Sequence, residues 1–321
     1  MPTDAGDGYR VVIDEDSLDL RELTDDDLNE ALHTFAELLE RLADGQQVAL
    51  MDPAWDVTCW DEVTLLDLHY ARNGRVSRDT RLRIARLLDK CRKIEPQDDD
   101  LSEPVCVNGV TRELSWGMSH ALARVTSGRA MSCLVLARPA AAPWPTGWIT
   151  VERGAERLDL HVLSDLPGVT GFWRELFTRE SVPEEGFVAL AETAFPGLIF
   201  AESLSFRRFR GSYDEVMPWL VKLLGVLNDH FARAVDAHHG IQNHVIRELG
   251  AHGVEISPES QLTRKNASAW AERLVSHQNR EHRCDWHGKR LWDRDRVHFS
   301  APLPEYGGRV LIGIFADHLP T

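Results

Sequence analysis

The sequence predicts an α+β fold in which helix-rich N-terminal and central regions lead into a small C-terminal antiparallel β-meander. Three observations carry that prediction. Apolar residues recur at helical spacing in several long stretches before residue 280. After it, the segments 283–290, 296–301 and 309–316 read as short strands, with WDRD and PLPEYGG as the turns between them. A chain of 321 residues with 43% hydrophobic content, ten Trp and eleven Phe is long and apolar enough to bury a core.

Taken in order, residues 9–14 (YRVVID) read as a short strand. LTDDDLNEALHTFAELLERLADG reads as a helix. Thr24 is its N-cap with Asp27 three residues on, and Leu28, Leu32, Phe35, Leu38, Leu39 and Leu42 form one apolar stripe that Gly45 ends. QQVALM reads as a strand, and 61–74 and 77–94 as two more helices, the second capped by Ser77. The acidic, Pro-flanked EPQDDDLSEP (95–104) marks a boundary. A helix over 111–125, a buried strand over 131–138, the turn segment RPAAAPWPTG and the paired strands GWITVE and RLDLHVL follow.

Short helices at 171–179 and 183–195 come next. The strongest helical pattern runs from 212 to 240. A Ser212/Glu215 capping box opens it, Val216, Leu220, Leu223, Leu224, Leu227 and Phe231 form its stripe, and Gly240 closes it. Further helices at 241–253 and about 260–278 precede the meander. The resulting organisation has three parts: an acidic helix-rich module (1–100), a central α+β/helical region (101–253) and a C-terminal helix plus β-meander (254–321).

The net charge of −15 is uneven. Residues 1–30 carry eleven acids against Arg10 and Arg21, whereas residues 264–299 carry nine Lys/Arg against five acids. An acidic body argues against indiscriminate nucleic-acid binding, while one basic island permits a directed contact with an anion. Arg264, Lys265, Arg283 and Arg290, with Trp286 as a stacking platform, are the candidate nucleic-acid-binding residues. Five cysteines without a CxxC pair, no apolar leader and no stretch approaching the roughly 18 apolar residues of a membrane span predict a reduced, cytoplasmic protein with no membrane contact.

The stretch CDWHGKRLWDRDRVHF (284–299) holds the candidate catalytic residues. Alternate side chains of a strand share a face, so His287 and Lys289 point together, as do Arg296 and His298. If Val297 and Phe299 face the core, the four polar side chains are presented outward on one surface. His, Lys and Arg together supply the acid, base and cation that metal-independent RNA cleavage needs. Solvated outward positions on an amphipathic sheet fit the same pattern. His282, Cys284, His287 and His298 are four potential zinc ligands, but their spacing fits no standard knuckle, so no metal and no cofactor is expected. GxGxxG, Walker, HExxH and GxSxG signatures are absent.

The order ISPES (256–260), WHGK (286–289), RVHF (296–299) and VLIGIFADHLP (310–320) resembles the C-terminal segment of a group of bacterial proteins associated with mobile elements and phage defence. In size and order this tail is also similar to RelE-like and colicin-like ribonuclease toxin folds. The resemblance covers about a quarter of the chain. It implies a bacterial anti-phage defence or toxin-type protein whose C-terminal domain acts on nucleic acid, as a ribonuclease that uses His287, Lys289, Arg296 and His298, with His318 at the end of the last strand. RNA or other nucleic acid and other defence-system proteins are the implied partners. The alternative is a non-catalytic adaptor or sensor subunit of a multiprotein defence complex.

Overall fold

The computed structural model describes residues 8–43, 47–71, 74–97, 103–136 and 144–320. The helix end expected at Gly45 and parts of the 95–104 and 138–147 segments lie outside the described residues. The fold is α+β with C-terminal antiparallel strands. It divides into two compact units, Met1–Phe172 and Trp173–Thr321, where the sequence pattern suggests three parts. The reason lies in the sheets. The first unit's sheet takes strands from both sides of residue 100, and the second unit's from both sides of residue 253.

In the first unit the chain forms β1 (Val11–Ile13), α1 (Asp25–Ala43), β2 (Val48–Met51), the small hairpin β3 (Thr58–Trp60) and β4 (Val63–Thr64), and α2 (Arg78–Lys90). Then come β5 (Arg92–Ile94), the hairpin β6 (Val105–Val107) and β7 (Val110–Arg112), α3 (Trp116–Thr126), β8 (Ser132–Leu134), and the hairpin β9 (Gly147–Arg153) and β10 (Glu156–Leu163). The eight-stranded sheet runs β5-β2-β1-β8-β10-β9-β6-β7, parallel from β5 to β10 and antiparallel beyond. The whole predicted stripe of α1 is buried, none of it above 3% exposure. Thr24 and Ser77 accept backbone N–H bonds from Asp27 and Thr80, as caps do. The helix expected over 61–74 is instead the β4 strand and one 3-10 turn at Leu66–His69. Asp61 takes a positive φ of 46° to turn the chain, and Leu66 and Tyr70 stay exposed, so no continuous apolar stripe exists there.

β1 lies between β2 and β8, so the connections on its two sides run in opposite directions; in open α/β sheets such a switch point is where ligands bind. Here the Glu15 carboxylate, just past β1, accepts the N–H groups of Trp116 and Gly117 at the start of α3. Gly117 is required for that approach: a Cβ on it would lie 2.1 Å from the Ile13 carbonyl oxygen.

The division between units falls inside α4 (Leu166–Arg179). Beyond it come α5 (Phe187–Ala194), β11 (Leu198–Phe200), α6 (Tyr213–Val226), a π-turn at Leu227–Phe231, α7 (Ala232–Ala237) and α8 (Gln242–Ala251). They are followed by β12 (Glu255–Pro258), α9 (Gln261–Lys265), α10 (Ala267–Ala271), β13 (Leu274–His277), β14 (Arg280–Arg283), β15 (Trp286–Lys289), β16 (Arg296–Phe299) and β17 (Val310–Ala316). The single helix expected over 260–278 is thus two short helices and a strand. Asn266 is extended and caps α10, and Gln278 and Asn279 take positive φ to close the β13–β14 hairpin. The meander is as expected: β15, β16 and β17 pair antiparallel in sequence order, within a five-stranded sheet β11-β17-β16-β15-β12.

That sheet is covered on both faces. On one, Phe231 packs edge-on against Trp286 and Phe299, with ring centroids 5.3 and 5.2 Å away, and Gly288 lets Leu223 of α6 approach. On the other, Val275 and Cys284 of the β13–β14 region and Leu319 of the tail join Leu311, Ile314 and Ala316 of β17 in a second apolar cluster. The polar residues of β15 and β16 lie on this second face.

Candidate functional site

Cross-strand register builds the site in two rows. Ser257 of β12 stands opposite His287 of β15, which stands opposite His298 of β16. One step along, Glu255, Lys289 and Arg296 form the second row. Residues directly opposite in an antiparallel sheet share a face, so all six point the same way. Glu259 follows Ser257 by two residues and keeps to that face, just past the end of β12. Its backbone is held by a Glu259 N–H bond to the Asp285 carbonyl, 2.7 Å, and Ser260 then caps α9. All of these residues on that face but Glu255, with His318 and Leu319, line a cavity of about 220 Å³.

Glu259 Oε1 is the focus. Arg273 Nε donates to it at 3.0 Å, His298 Nδ1 lies 3.3 Å away and His287 Nδ1 3.6 Å away. Arg273 is itself sealed from water and donates to the Ala269 carbonyl, 2.8 Å, which fixes its guanidinium. The His287 contact is too long for a hydrogen bond, and the His298 contact is too poorly aligned for a well-formed one, though close enough to act on the carboxylate. His298 is 1% exposed, and neither of its ring nitrogens makes a hydrogen bond to a described residue. His287 Nε2 lies 3.1 Å from the Ser257 hydroxyl, while its Nδ1 has no such partner.

Burial and charge set the protonation states. Burial alone would raise the Glu259 carboxyl, but the contacts with His298 and Arg273 outweigh it and hold the group at about 2. Burial, aided by His298, pushes His287 down to about 3 against the pull of Glu259. Burial also lowers His298, with Glu259 opposing. Both imidazoles are therefore neutral at neutral pH, each with one donor nitrogen and one lone pair. Lys289 pairs with the exposed Glu255 at 3.0 Å, and Arg296 donates to the Trp292 carbonyl at 3.0 Å. The arrangement offers proton-transfer groups, a carboxylate and two nearby cations around one small polar space.

His287, Lys289, Arg296 and His298 come together as the alternation predicted, but they are not outward. His298, Arg296 and His287 are 1%, 7% and 9% exposed, because Glu259, Thr263, Arg273 and Leu319 from other segments gather around the same small cavity on that face. Trp286 is corrected as well: at 5% exposure and packed on Phe231 it cannot stack on a base, whereas Trp292 in the β15–β16 turn is 84% exposed. Most of the basic set has internal work. Arg264 pairs with Asp285, Arg283 lies over the Trp270 ring and donates to its carbonyl, and Arg290 pairs with the buried Asp295. Lys265 is exposed. The zinc set of His282, Cys284, His287 and His298 does not assemble. Burial pushes the Cys284 thiol up to about 12 within the apolar cluster, and His282 faces Glu305 and Tyr306.

Ser257, Glu259 and Arg273 escaped sequence reasoning. The one available signal was the alternation within ISPES, which puts Ser257 and Glu259 on a common face; their partners arrive only from later strands. No protein-family model matches the chain, and no curated protein or solved structure matches it. Among the described residues no helix is long and apolar enough to cross a membrane.

Proposed function

We propose that the second unit hydrolyses a phosphate ester, with nucleic acid as the substrate class and bacterial defence as the setting. The observation that supports this most is the pair of adjoining rows. One carries imidazoles beside a carboxylate, suited to proton transfer and water activation, and the other carries Lys289 and Arg296, suited to the charge of a transferring phosphoryl group. Burial narrows the ribonuclease expectation. A cavity of about 220 Å³ lies below the usual range of small-molecule pockets and suits a terminal phosphate better than an internal nucleotide of a strand. The proposed reaction is removal of a phosphate from a strand end: a water oxygen bonds to phosphorus, the ester P–O bond breaks, and an imidazole passes the water's proton to the leaving oxygen.

The test is turnover of 5′- and 3′-phosphorylated RNA and DNA oligonucleotides and of p-nitrophenyl phosphate, with and without EDTA, by the wild-type chain and by Arg296→Ala. Phosphate release that falls at least tenfold in kcat/KM in the variant supports the reading, and no release from any substrate rejects it. A second reading, the non-catalytic adaptor, is favoured by Trp292, a large aromatic residue 84% exposed at the tip of a turn. In that case the wild-type chain is inert towards every substrate and Trp292→Ala abolishes capture of a partner.

A further inference from the structure

We infer that Glu259, His287 and His298 form a mononuclear site for a divalent transition metal of the zinc class. Each of the three residues offers one ligand atom, all three are buried, and the three atoms lie within 4.8 Å of one another. Two nitrogens and one oxygen bound to zinc at about 2.0–2.1 Å in a tetrahedral arrangement stand roughly 3.4 Å apart. Glu259 Oε1 lies 3.3 Å from His298 Nδ1 and 3.6 Å from His287 Nδ1. Both carboxylate–imidazole separations are thus close to the spacing around an ion, and all three atoms fall within 4.8 Å of one another.

Polar bookkeeping points the same way. A buried nitrogen without a partner calls for an explanation, and the residues lining this cavity hold four: both ring nitrogens of His298, Nδ1 of His287 and Nε of Arg296. The Arg273–Glu259 ion pair accounts for those two side chains but leaves the imidazoles unexplained. In the tautomer whose Nε2 donates to the Ser257 hydroxyl, the His287 Nδ1 lone pair is turned to the Glu259 oxygen 3.6 Å away, and a cation between them would satisfy both.

The surroundings match the outer shell of a metal site. Ligating histidines are oriented by a partner on the other ring nitrogen, and ligating carboxylates are hydrogen-bonded in turn. Ser257 does the first for His287, and Arg273 does the second for Glu259. The donor set also selects the ion. Its single carboxylate is already paired with Arg273, so binding relies on imidazole nitrogen, which favours zinc, iron or cobalt over calcium and magnesium. Three protein ligands leave a coordination position open.

The site shares its two imidazoles and its carboxylate with the proposed hydrolysis, so metal binding is tested separately, without substrate. The full chain is stripped with EDTA and titrated calorimetrically with Zn²⁺, and with Co²⁺ followed by visible absorption. One equivalent of Zn²⁺ and a Co²⁺ d–d spectrum are expected. His298→Ala, His287→Ala and Glu259→Gln should each weaken Zn²⁺ binding at least 100-fold, with His282→Ala and Cys284→Ser unchanged. X-ray absorption on the zinc-loaded wild-type chain needs no variant and should find nitrogen and oxygen neighbours only. No stoichiometric metal, a sulfur neighbour, or undiminished binding in a folded His298→Ala chain would each overturn the assignment. Metal binding without phosphate release sinks only the hydrolytic reading; phosphate release that survives EDTA, with no metal bound, sinks only this one.

Discussion

Glu15 follows β1 in the first unit and Glu259 follows β12 in the second, and both are almost sealed from water, at 3% and 6% exposure. Their partners differ. Glu15 meets backbone: its carboxylate accepts the N–H groups of Trp116 and Gly117, two of the donors that a helix start leaves over. Glu259 meets side chains: one guanidinium and two imidazoles. The electrostatic outcomes are opposite. For Glu15 burial prevails and raises the carboxyl above its ordinary 4.5 despite those N–H bonds, whereas for Glu259 the contacts with His298 and Arg273 override burial and hold it at about 2. A glutamate satisfied by backbone locks a helix to a sheet. One held by titratable, metal-competent side chains is chemically available.

The comparison can be broken most forcefully at Arg273. Arg273→Met leaves Glu259 as an uncompensated buried charge and should destabilise the second unit by about 3–5 kcal/mol in urea denaturation. Adding Glu259→Leu should recover most of that loss, and failure to recover would mean that Arg273 acts through packing rather than charge. Next in size is Gly117→Ala. Its Cβ would collide with backbone at Ile13, forcing α3 away from Glu15 and costing the first unit about 3 kcal/mol. A change below about 0.5 kcal/mol would show that the helix can shift freely and that the Glu15 contact is incidental.

The pH dependence of the metal-stripped chain sharpens the contrast. The folded chain binds the Glu15 proton more tightly than the unfolded one, so this contribution is full below 4.5 and is lost as pH rises through the raised value. Glu259 does the reverse: its contribution is present above 4.5 and is lost as pH falls through about 2. Urea midpoints from pH 2 to 7 should lose the first slope in Glu15→Gln and the second in Glu259→Gln, and unchanged slopes in either variant would show that the carboxyl binds its proton equally in the folded and unfolded chain. The smallest stability effect belongs to Lys289→Ala. Its partner Glu255 is largely exposed, so the pair is worth less than about 1 kcal/mol. Phosphate-ester binding should nevertheless weaken, seen as a raised KM.

Much of the fold was legible because it is locally encoded. The α1 stripe from Leu28 to Leu42, the Ser77 cap, the Ser212/Glu215 capping box and the three meander strands all rest on residues within a few positions of one another. The two missed helices have local causes. Asp61 turns the chain at the start of 61–74, where Leu66 and Tyr70 stay exposed, while Asn266 interrupts 260–278 and Gln278 and Asn279 turn the chain into β14. The candidate site was half legible. His287, Lys289, Arg296 and His298 were paired onto one face correctly, and Glu259 and Arg273 were not seen at all.

By itself the sequence determined the elements with strong periodicity and the sharing of a face by alternate residues of β15 and β16, since both follow from backbone geometry over a few residues. Only the tertiary structure decided which face met water. Glu259, Thr263, Arg273 and Leu319, brought in from outside β15 and β16, share a cavity with His287 and His298, which are buried rather than exposed. The same packing carries Arg273 to Glu259 and Glu259 to the two imidazoles. Burial and charge contacts depend on what other segments of the chain cover and bring near, and no local pattern contains that information.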